Sequence, residues 1–177
     1  MRMLLLLCVA CGSVEGKGND AAVHDTSGTD TRPIDSAAPP CDVTKPFGTP
    51  VLVQGVNTAN QERWGFLSGD ELTIYFSDQA AVRSIYSATR SSTSAAFGTP
   101  MVVAGINSTT ASHEHAAVTA DGLTIVADMP ASSTNTDVGI VARASSAQDF
   151  GPLVSAANVN TGDQELDPFI SADGLTL

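Results

Sequence analysis

The segment Ser112-His113-Glu114-His115 carries the residue types of this chain that are best suited to chemistry. Two histidines beside a carboxylate could ligate zinc, or could exchange a proton as acid and base. In an extended strand His113 and His115 would share one face, whereas Glu114 would point away. No third ligand lies nearby in the sequence. We therefore predict a plain loop, with no cofactor and no catalytic residue, and with His113 and His115 as candidate metal ligands.

A repeated pattern surrounds this segment. Residues 47–57 recur at 97–107 and, more divergently, at 150–160, so that the phenylalanines are 50 and then 53 residues apart. In every copy an asparagine follows the phenylalanine after ten residues. Chance does not produce such fidelity, so we predict a tandem repeat. Its marker positions are Phe47, Pro50, Asn57, Phe97, Pro100, Asn107, Phe150 and Asn160.

Each copy continues with an acidic turn between two apolar runs. The turn positions are Asp70 in copy one, Asp121 and Gly122 in copy two, and Asp173 and Gly174 in copy three. Asp-Gly between apolar runs predicts a β-hairpin with a type I′ turn, which needs positive φ at both central residues. Copy one has Glu71 in place of the glycine and Gly69 two residues earlier, so we expect a different turn type there.

The hydrophobic pattern favours strands throughout the repeats. Leu72, Ile74 and Phe76 alternate with polar or amphipathic residues, as in a strand with one buried face. Further strands are predicted at 83–90 and 138–143, and no stretch shows a sustained helical stripe. Each unit of about 50 residues thus supplies about four short strands, which is the content of a propeller blade. We predict an all-β fold.

The combined pattern resembles the WD-like propeller repeat of TolB-type periplasmic and surface proteins. The resemblance covers residues 47–177 and implies a partial β-propeller of about two and a half four-stranded blades, at 47–96, 97–149 and 150–177. It also implies that the Asp-Gly turn connects strands and carries no chemistry. Since propellers typically have four to eight blades, we expect the third blade to be truncated and the sequence to be part of a longer protein.

The N-terminus has the composition of an export signal. Residues 1–10 combine Arg2 with a short apolar run that is too short to span a bilayer. The run ends at Val9-Ala10-Cys11-Gly12, which resembles the lipobox of bacterial lipoproteins, although Cys8 stands where that family usually has leucine. The resemblance implies cleavage before Cys11, acylation of its thiol and, from Gly12, an outer-membrane location. A plain secretory signal is the alternative.

Residues 11–46 form a second compositional region. They are rich in Asp, Thr, Ser, Gly, Ala and Pro and show no hydrophobic periodicity, which predicts a disordered tether. The chain's formal net charge of −11 excludes nucleic acid as a plausible partner. The cysteines are Cys8, Cys11 and Cys41, so no disulfide is expected within the repeats.

From these features we predict a lipid-anchored envelope protein that acts as a binding module for an unknown protein or glycan, and not an enzyme. One alternative is an envelope hydrolase or lyase with catalytic residues beyond Leu177, and another is a structural envelope protein. Trp64 is interpreted as blade core, or as a rim residue that stacks on a sugar. Acidic residues at one mouth could bind a cation or a basic partner, or could simply be solvated: Glu62, Glu114, Asp163, Glu165 and Asp167.

The anchor can be tested by the intact mass of the native protein, extracted from membranes with detergent. We expect an acylated N-terminal peptide that begins at Cys11, and a mass well above the 18.1 kDa of this sequence. A mass of about 17 kDa plus acyl chains, after loss of a ten-residue signal, would contradict the expectation of further blades. An unmodified N-terminal peptide would contradict the anchor.

Overall fold

The computed structural model describes residues 46, 48–57 and 60–177. The predicted signal peptide, Cys11, the tether up to residue 45 and Phe47 lie outside the described residues. Residues 51–177 belong to one compact unit. The described residues contain strands and turns but no helix, which confirms the predicted all-β class. Accordingly, no membrane-spanning helix is found among them.

Two antiparallel four-stranded sheets account for the strands of the described region. In each sheet the strands lie side by side in chain order. The first contains β1 (Glu62–Leu67), β2 (Thr73–Asp78), β3 (Ile85–Thr89) and β4 (Met101–Val102). The second contains β5 (Ala117–Val118), β6 (Thr124–Pro130), β7 (Thr136–Ala142) and β8 (Val154–Ser155). Each sheet therefore takes its fourth strand from the copy of the repeat that follows.

Strand β2 shows why these sequences form strands, and where the predicted alternation is wrong. Ile74, Tyr75 and Phe76 are β-branched or aromatic residues, which pack well on a pleated surface. All three are buried, with Tyr75 in the main apolar core and Phe76 stacked on Tyr86 at a centroid distance of 5.8 Å. The strand thus buries both faces, whereas the sequence pattern predicted one.

The turns after β1 and β5 differ from the predicted type I′ turn. The backbone N–H of Glu71 donates to the carbonyl of Ser68 at 2.8 Å, and Gly122 bonds Thr119 in the same way at 2.9 Å. Positive φ occurs at Glu71 (60°) and Gly122 (70°) but not at the aspartates before them. This is a tight turn followed by one left-handed residue, as in longer hairpin loops. Glu71 adopts the glycine conformation, so copy one does not have a different turn.

The aspartate of each turn has a defined structural role. Asp121 accepts the hydroxyl of Thr119 at 2.6 Å and the backbone N–H of Leu123 at 2.9 Å. The equivalent pairs of bonds are made by Asp70 and Asp173. In all three, the hydroxyl bond first and the backbone bond second lower the pKa of the carboxyl group. These contacts explain the Ser/Thr-x-Asp pattern as turn chemistry.

The repeat asparagines join each sheet to the following copy. Asn107 accepts the backbone N–H of Ile85 at 2.7 Å and donates to the Ile85 carbonyl at 2.9 Å. Asn160 makes the same two bonds to Val138, at 2.8 and 2.9 Å. Asn107 also donates to its own copy, at the Val103 carbonyl. One amide side chain therefore holds the third strand of a sheet against the next repeat.

The apolar core includes residues from both sheets. It contains Tyr75 and Ile85 from the first sheet and Val118 and Ile125 from the second, together with the repeat residue Phe150. Phe97 and Phe150 are both buried, and each is covered by an arginine guanidinium, Arg90 at 4.6 Å and Arg143 at 4.2 Å. The markers Pro50 and Pro100 are exposed and half-buried, respectively.

The asparagine contact predicts a specific stability effect. Asn107→Ala leaves the N–H of the fully buried Ile85 without its partner, whereas the Ile85 carbonyl keeps the N–H of Val103, so we expect a loss of about 1–3 kcal/mol in the free energy of unfolding. Urea denaturation monitors the loss. The control is Asn135→Ala, because the Asn135 side chain makes one bond within a turn, to Asp137, and its removal should cost less than about 1 kcal/mol. Equal losses in the two variants would contradict the assigned role.

Candidate functional site

Three equivalent positions of the repeat form the centre of the candidate site. Trp64, His115 and Asp167 each lie six residues before the turn aspartate of their own copy. All three are non-glycine residues with positive φ, at 57°, 51° and 57°. In copy one this conformation coincides with a break in the β1–β2 register between Arg63 and Phe66. Such bulges turn a side chain away from the regular strand direction.

The three equivalent side chains meet at one place. The rings of Trp64 and His115 are 3.9 Å apart between centroids, tilted by 49°. His115 Nε2 lies 2.6 Å from Asp167 Oδ1, and His115 Nδ1 makes a short contact with Asp128 Oδ2. Asp128 Oδ1 accepts the backbone N–H of Asp167 at 3.1 Å. The imidazole therefore lies between two carboxylates and under an indole ring.

Glu114 forms a second polar centre beside this one. It accepts the indole N–H of Trp64 at 3.0 Å and pairs with the Arg83 guanidinium at 2.6 Å. The Glu114 side chain is 15% exposed and that of Arg83 is 39% exposed, so water screens the pair only in part. The negative charge of Glu114 is thus matched by a cation of copy one, whereas Asp128 and Asp167 share the imidazole of His115.

His113 and His115 have separate roles. No strand covers residues 111–116, which confirms the predicted loop, so the strand geometry considered for the two histidines does not apply. His113 is buried, and its Nδ1 bonds the Asp128 carbonyl oxygen at 3.1 Å. His115 contacts the carboxylates of Asp128 and Asp167. Of the two candidate metal ligands, only His115 has carboxylate oxygens beside it.

The five acidic residues that were considered for one mouth of the domain do not lie together in the structure. Glu114 and Asp167 lie at the site through the contacts above. Glu62 is buried rather than displayed at a mouth, Asp163 is exposed, and Glu165 bonds Thr161. The idea of one acidic mouth built from all five residues is therefore wrong.

The sequence did not reveal Asp128 as a member of the site. It lies in the buried part of β6, seven residues after the turn aspartate, where copy one has Ser77. The available signal was this replacement of a small polar residue by a charged one inside an otherwise apolar strand. Trp64 was also misplaced by its core interpretation, because it is 38% exposed and lies at the site rim.

A cleft of about 380 Å³ opens at this site. Its walls come from all three copies and carry an aromatic ring together with groups of both charges. The lining side chains include Arg63, Trp64, Arg83, Glu114, His115, Asp128, Gln164 and Leu166.

Polar atoms without hydrogen bonds are concentrated around this cleft. In the described part of the chain five buried side-chain atoms have no hydrogen-bond partner, and three belong to lining residues: Arg63 Nε, Arg83 Nε and His115 Nε2. His115 Nε2 is close to Asp167 but does not meet it with hydrogen-bond geometry. Buried polar atoms are normally satisfied, and exceptions are accounted for by ordered water, by an ion or by a functional role.

The electrostatic environment acts on His115 in two opposing ways. Burial alone would lower the pKa of the imidazole, because it disfavours the charged form. The hydrogen bond to Asp128 and the charges of Asp128, Asp167 and Glu114 outweigh burial, and they raise the pKa above its ordinary value of 6.5. The site therefore favours a positive charge at the position of His115.

No protein-family model, curated protein or solved structure matches this chain.

The raised pKa of His115 can be measured through Trp64, the only tryptophan of the chain. A protonated imidazole in ring contact quenches indole emission, so we expect fluorescence in EDTA to rise as pH increases through a midpoint above 6.5. Because the folded-state pKa is raised, His115 stabilises the protein at low pH, and this stabilisation is lost as pH rises through that midpoint. His115→Asn should abolish the fluorescence transition. A midpoint below 6.5 in the wild type would contradict the raised pKa of His115.

Proposed function

We propose that this chain is a membrane-tethered extracytoplasmic binding module, built from propeller repeats, whose ligand binds in the cleft formed by Trp64, His115 and their neighbours. One observation carries the proposal: equivalent positions of three successive copies, each with different chemistry, meet beside one cleft. Trp64 and His115 line the cleft, and Asp167, outside the lining, contacts His115. A repeat that served only as a scaffold would have no reason to collect unlike polar side chains there.

The propeller part of the proposal is supported by the way the sheets follow each other. Both have four antiparallel strands in chain order, and both are completed by a short strand of the next copy. The two asparagine contacts repeat with the same atoms. Continued repetition of such a unit builds a ring of blades. The lipobox-like residues at 9–12 support the tether and the envelope location. The repeated residues of copies one to three support the TolB-type resemblance.

The composition of the cleft favours a polar, nearly neutral ligand. The lining contains positively charged groups, namely Arg63, Arg83 and the imidazole of His115, and the carboxylates of Glu114 and Asp128. Neither sign of charge therefore dominates the lining. Donors and acceptors lie beside the partly exposed indole of Trp64. An aromatic face next to paired polar groups suits a sugar ring, which has apolar faces and hydroxyl edges. A glycan therefore fits the cleft better than a charged segment of a partner protein.

The contact between His115 and Asp128 is also compatible with acid–base catalysis, which would make the chain part of an envelope hydrolase or lyase. A general base needs a free ring nitrogen within reach of the substrate proton. Here Nδ1 contacts Asp128 and Nε2 faces Asp167. With both nitrogens engaged by carboxylates, we favour binding over catalysis.

Binding can be tested with soluble peptidoglycan fragments and, separately, with detergent-solubilised envelope proteins. We expect the full-length protein to bind the fragments, and Trp64→His to weaken binding about tenfold, since one aromatic contact contributes about 1.4 kcal/mol. Histidine is the residue that copy two has at this position, so the backbone conformation should be retained.

The matched control is Leu175→Ser, because Leu175 is 85% exposed and does not line this cleft. It should bind like the wild type. Binding of neither probe, or equal binding by both variants, would count against the cleft. Retention of envelope proteins alone would replace the glycan by a protein ligand.

A further inference from the structure

We infer that His115, Asp128 and Asp167, here called the His115 cluster, form a binding site for a divalent transition-metal ion such as Zn²⁺. One ligand atom from each of the three side chains can be chosen so that all lie within 4.8 Å of one another. Zinc holds histidine nitrogen and carboxylate oxygen at about 2.0–2.2 Å. Because Asp128 faces Nδ1 and Asp167 faces Nε2, the imidazole must turn until one ring nitrogen and both carboxylates point toward the same ion.

The charge balance of the cluster supports a cation. Two carboxylates share one imidazole, and among the described residues the ion pairs of Asp128 and Asp167 are both made with His115. The nearby guanidinium of Arg83 pairs with Glu114 instead. A proton on His115 leaves one negative charge in excess, whereas a divalent ion with a neutral imidazole balances both carboxylates. The side chain of Asp128 is only 7% exposed, so an uncompensated charge is costly there.

The contact of His115 Nε2 with Asp167 shows where a cation would bind. This atom is buried and has no hydrogen-bond partner among the described residues, although Asp167 Oδ1 is 2.6 Å away. Two ligand atoms at about 2.0–2.2 Å from a tetrahedral ion are about 3.3 Å apart, so an ion between Nε2 and Oδ1 would move these two atoms apart. Asp167 is the ion-pair partner of Nε2 when His115 is protonated, and a bound ion would take the place of that proton.

The donor types select the class of metal. Imidazole suits zinc and other late first-row ions, whereas Mg²⁺ and Ca²⁺ prefer oxygen ligands alone. Three protein ligands leave the fourth position of a tetrahedral Zn²⁺ free for water or for a ligand oxygen. The indole ring of Trp64 covers one side of the imidazole, and Asp167, whose side chain is 67% exposed, gives access from solvent.

This inference goes beyond the proposed function, and its test uses the metal alone. Zn²⁺ is titrated calorimetrically into the full chain, with Mg²⁺ as the selectivity control. Asp167→Asn removes one exposed ligand and should not disturb folding, which circular dichroism verifies. Because even outer partners of a metal ligand change affinity by about 10–100-fold, loss of Asp167 should weaken Zn²⁺ binding by at least about tenfold.

Asp163→Asn is the matched control, because Asp163 is an exposed acid four residues away that does not belong to the cluster. It should retain wild-type affinity. Co²⁺ provides a second measurement: bound at the cluster, it should quench the emission of Trp64, whose ring touches His115, and Asp167→Asn should abolish the quenching.

Three results would overturn the site. They are the absence of Zn²⁺ binding, Zn²⁺ binding that Asp167→Asn leaves unchanged, and Mg²⁺ binding as tight as Zn²⁺ binding. The second result would assign the ion to other ligands such as the cysteines. None of the three depends on whether the cleft binds a glycan, so failure of the metal site and failure of the proposed function are distinguishable.

Discussion

The connection between successive repeats of this protein depends on one side-chain amide, that of Asn107 in copy two and that of Asn160 in copy three. A carboxamide carries a donor and an acceptor, so a single asparagine can satisfy both the N–H and the carbonyl of one backbone residue. Asn107 does this for Ile85, and Asn160 does it for Val138, beside strands of only two residues. Without that contact the N–H groups of Ile85 and Val138 would lose their acceptor, whereas their carbonyls also bond the N–H groups of Val103 and Ala156. The completion of one sheet is therefore encoded in the next copy.

This connection also brings the site together. Because neighbouring copies are joined with the same atoms, equivalent positions of neighbouring copies are held at a fixed offset. Trp64, His115 and Asp167 occupy one such position and share one left-handed backbone conformation. That conformation is unfavourable for side-chain-bearing residues and persists only where the surrounding structure enforces it. The fold thus supplies one geometry three times, and the sequence places an indole, an imidazole and a carboxylate on it.

The sequence predicted the constant positions better than the variable ones. The turn aspartates, the repeat phenylalanines and the asparagines recur in register, and their recurrence correctly indicated an all-β fold of four-stranded sheets. The local conformation of the turns was harder to predict, because two turn types favour the same Asp-Gly pair. One is the type I′ turn, and the other is a tight turn followed by a left-handed residue. The site was largely missed because its members differ between copies. His115 was identified, but it lies in a loop and its partner Asp128 lies 13 residues away on β6, so only the tertiary fold brings them into contact.

The strand that contains Asp128 does not need a carboxylate at this position. Copy one places Ser77 at the same position, fully buried in β2, so the strand forms without a carboxylate there. Replacing a buried ionic group by a neutral one is often neutral or stabilising, and selection for stability alone would favour the serine. Asp128 contacts the imidazole of His115 with one oxygen and accepts the backbone N–H of Asp167 with the other, so its carboxylate serves the site where copies two and three meet. The copies have the same residue types at the positions that form the turns and join the sheets, and they differ at the positions whose side chains meet at the cleft.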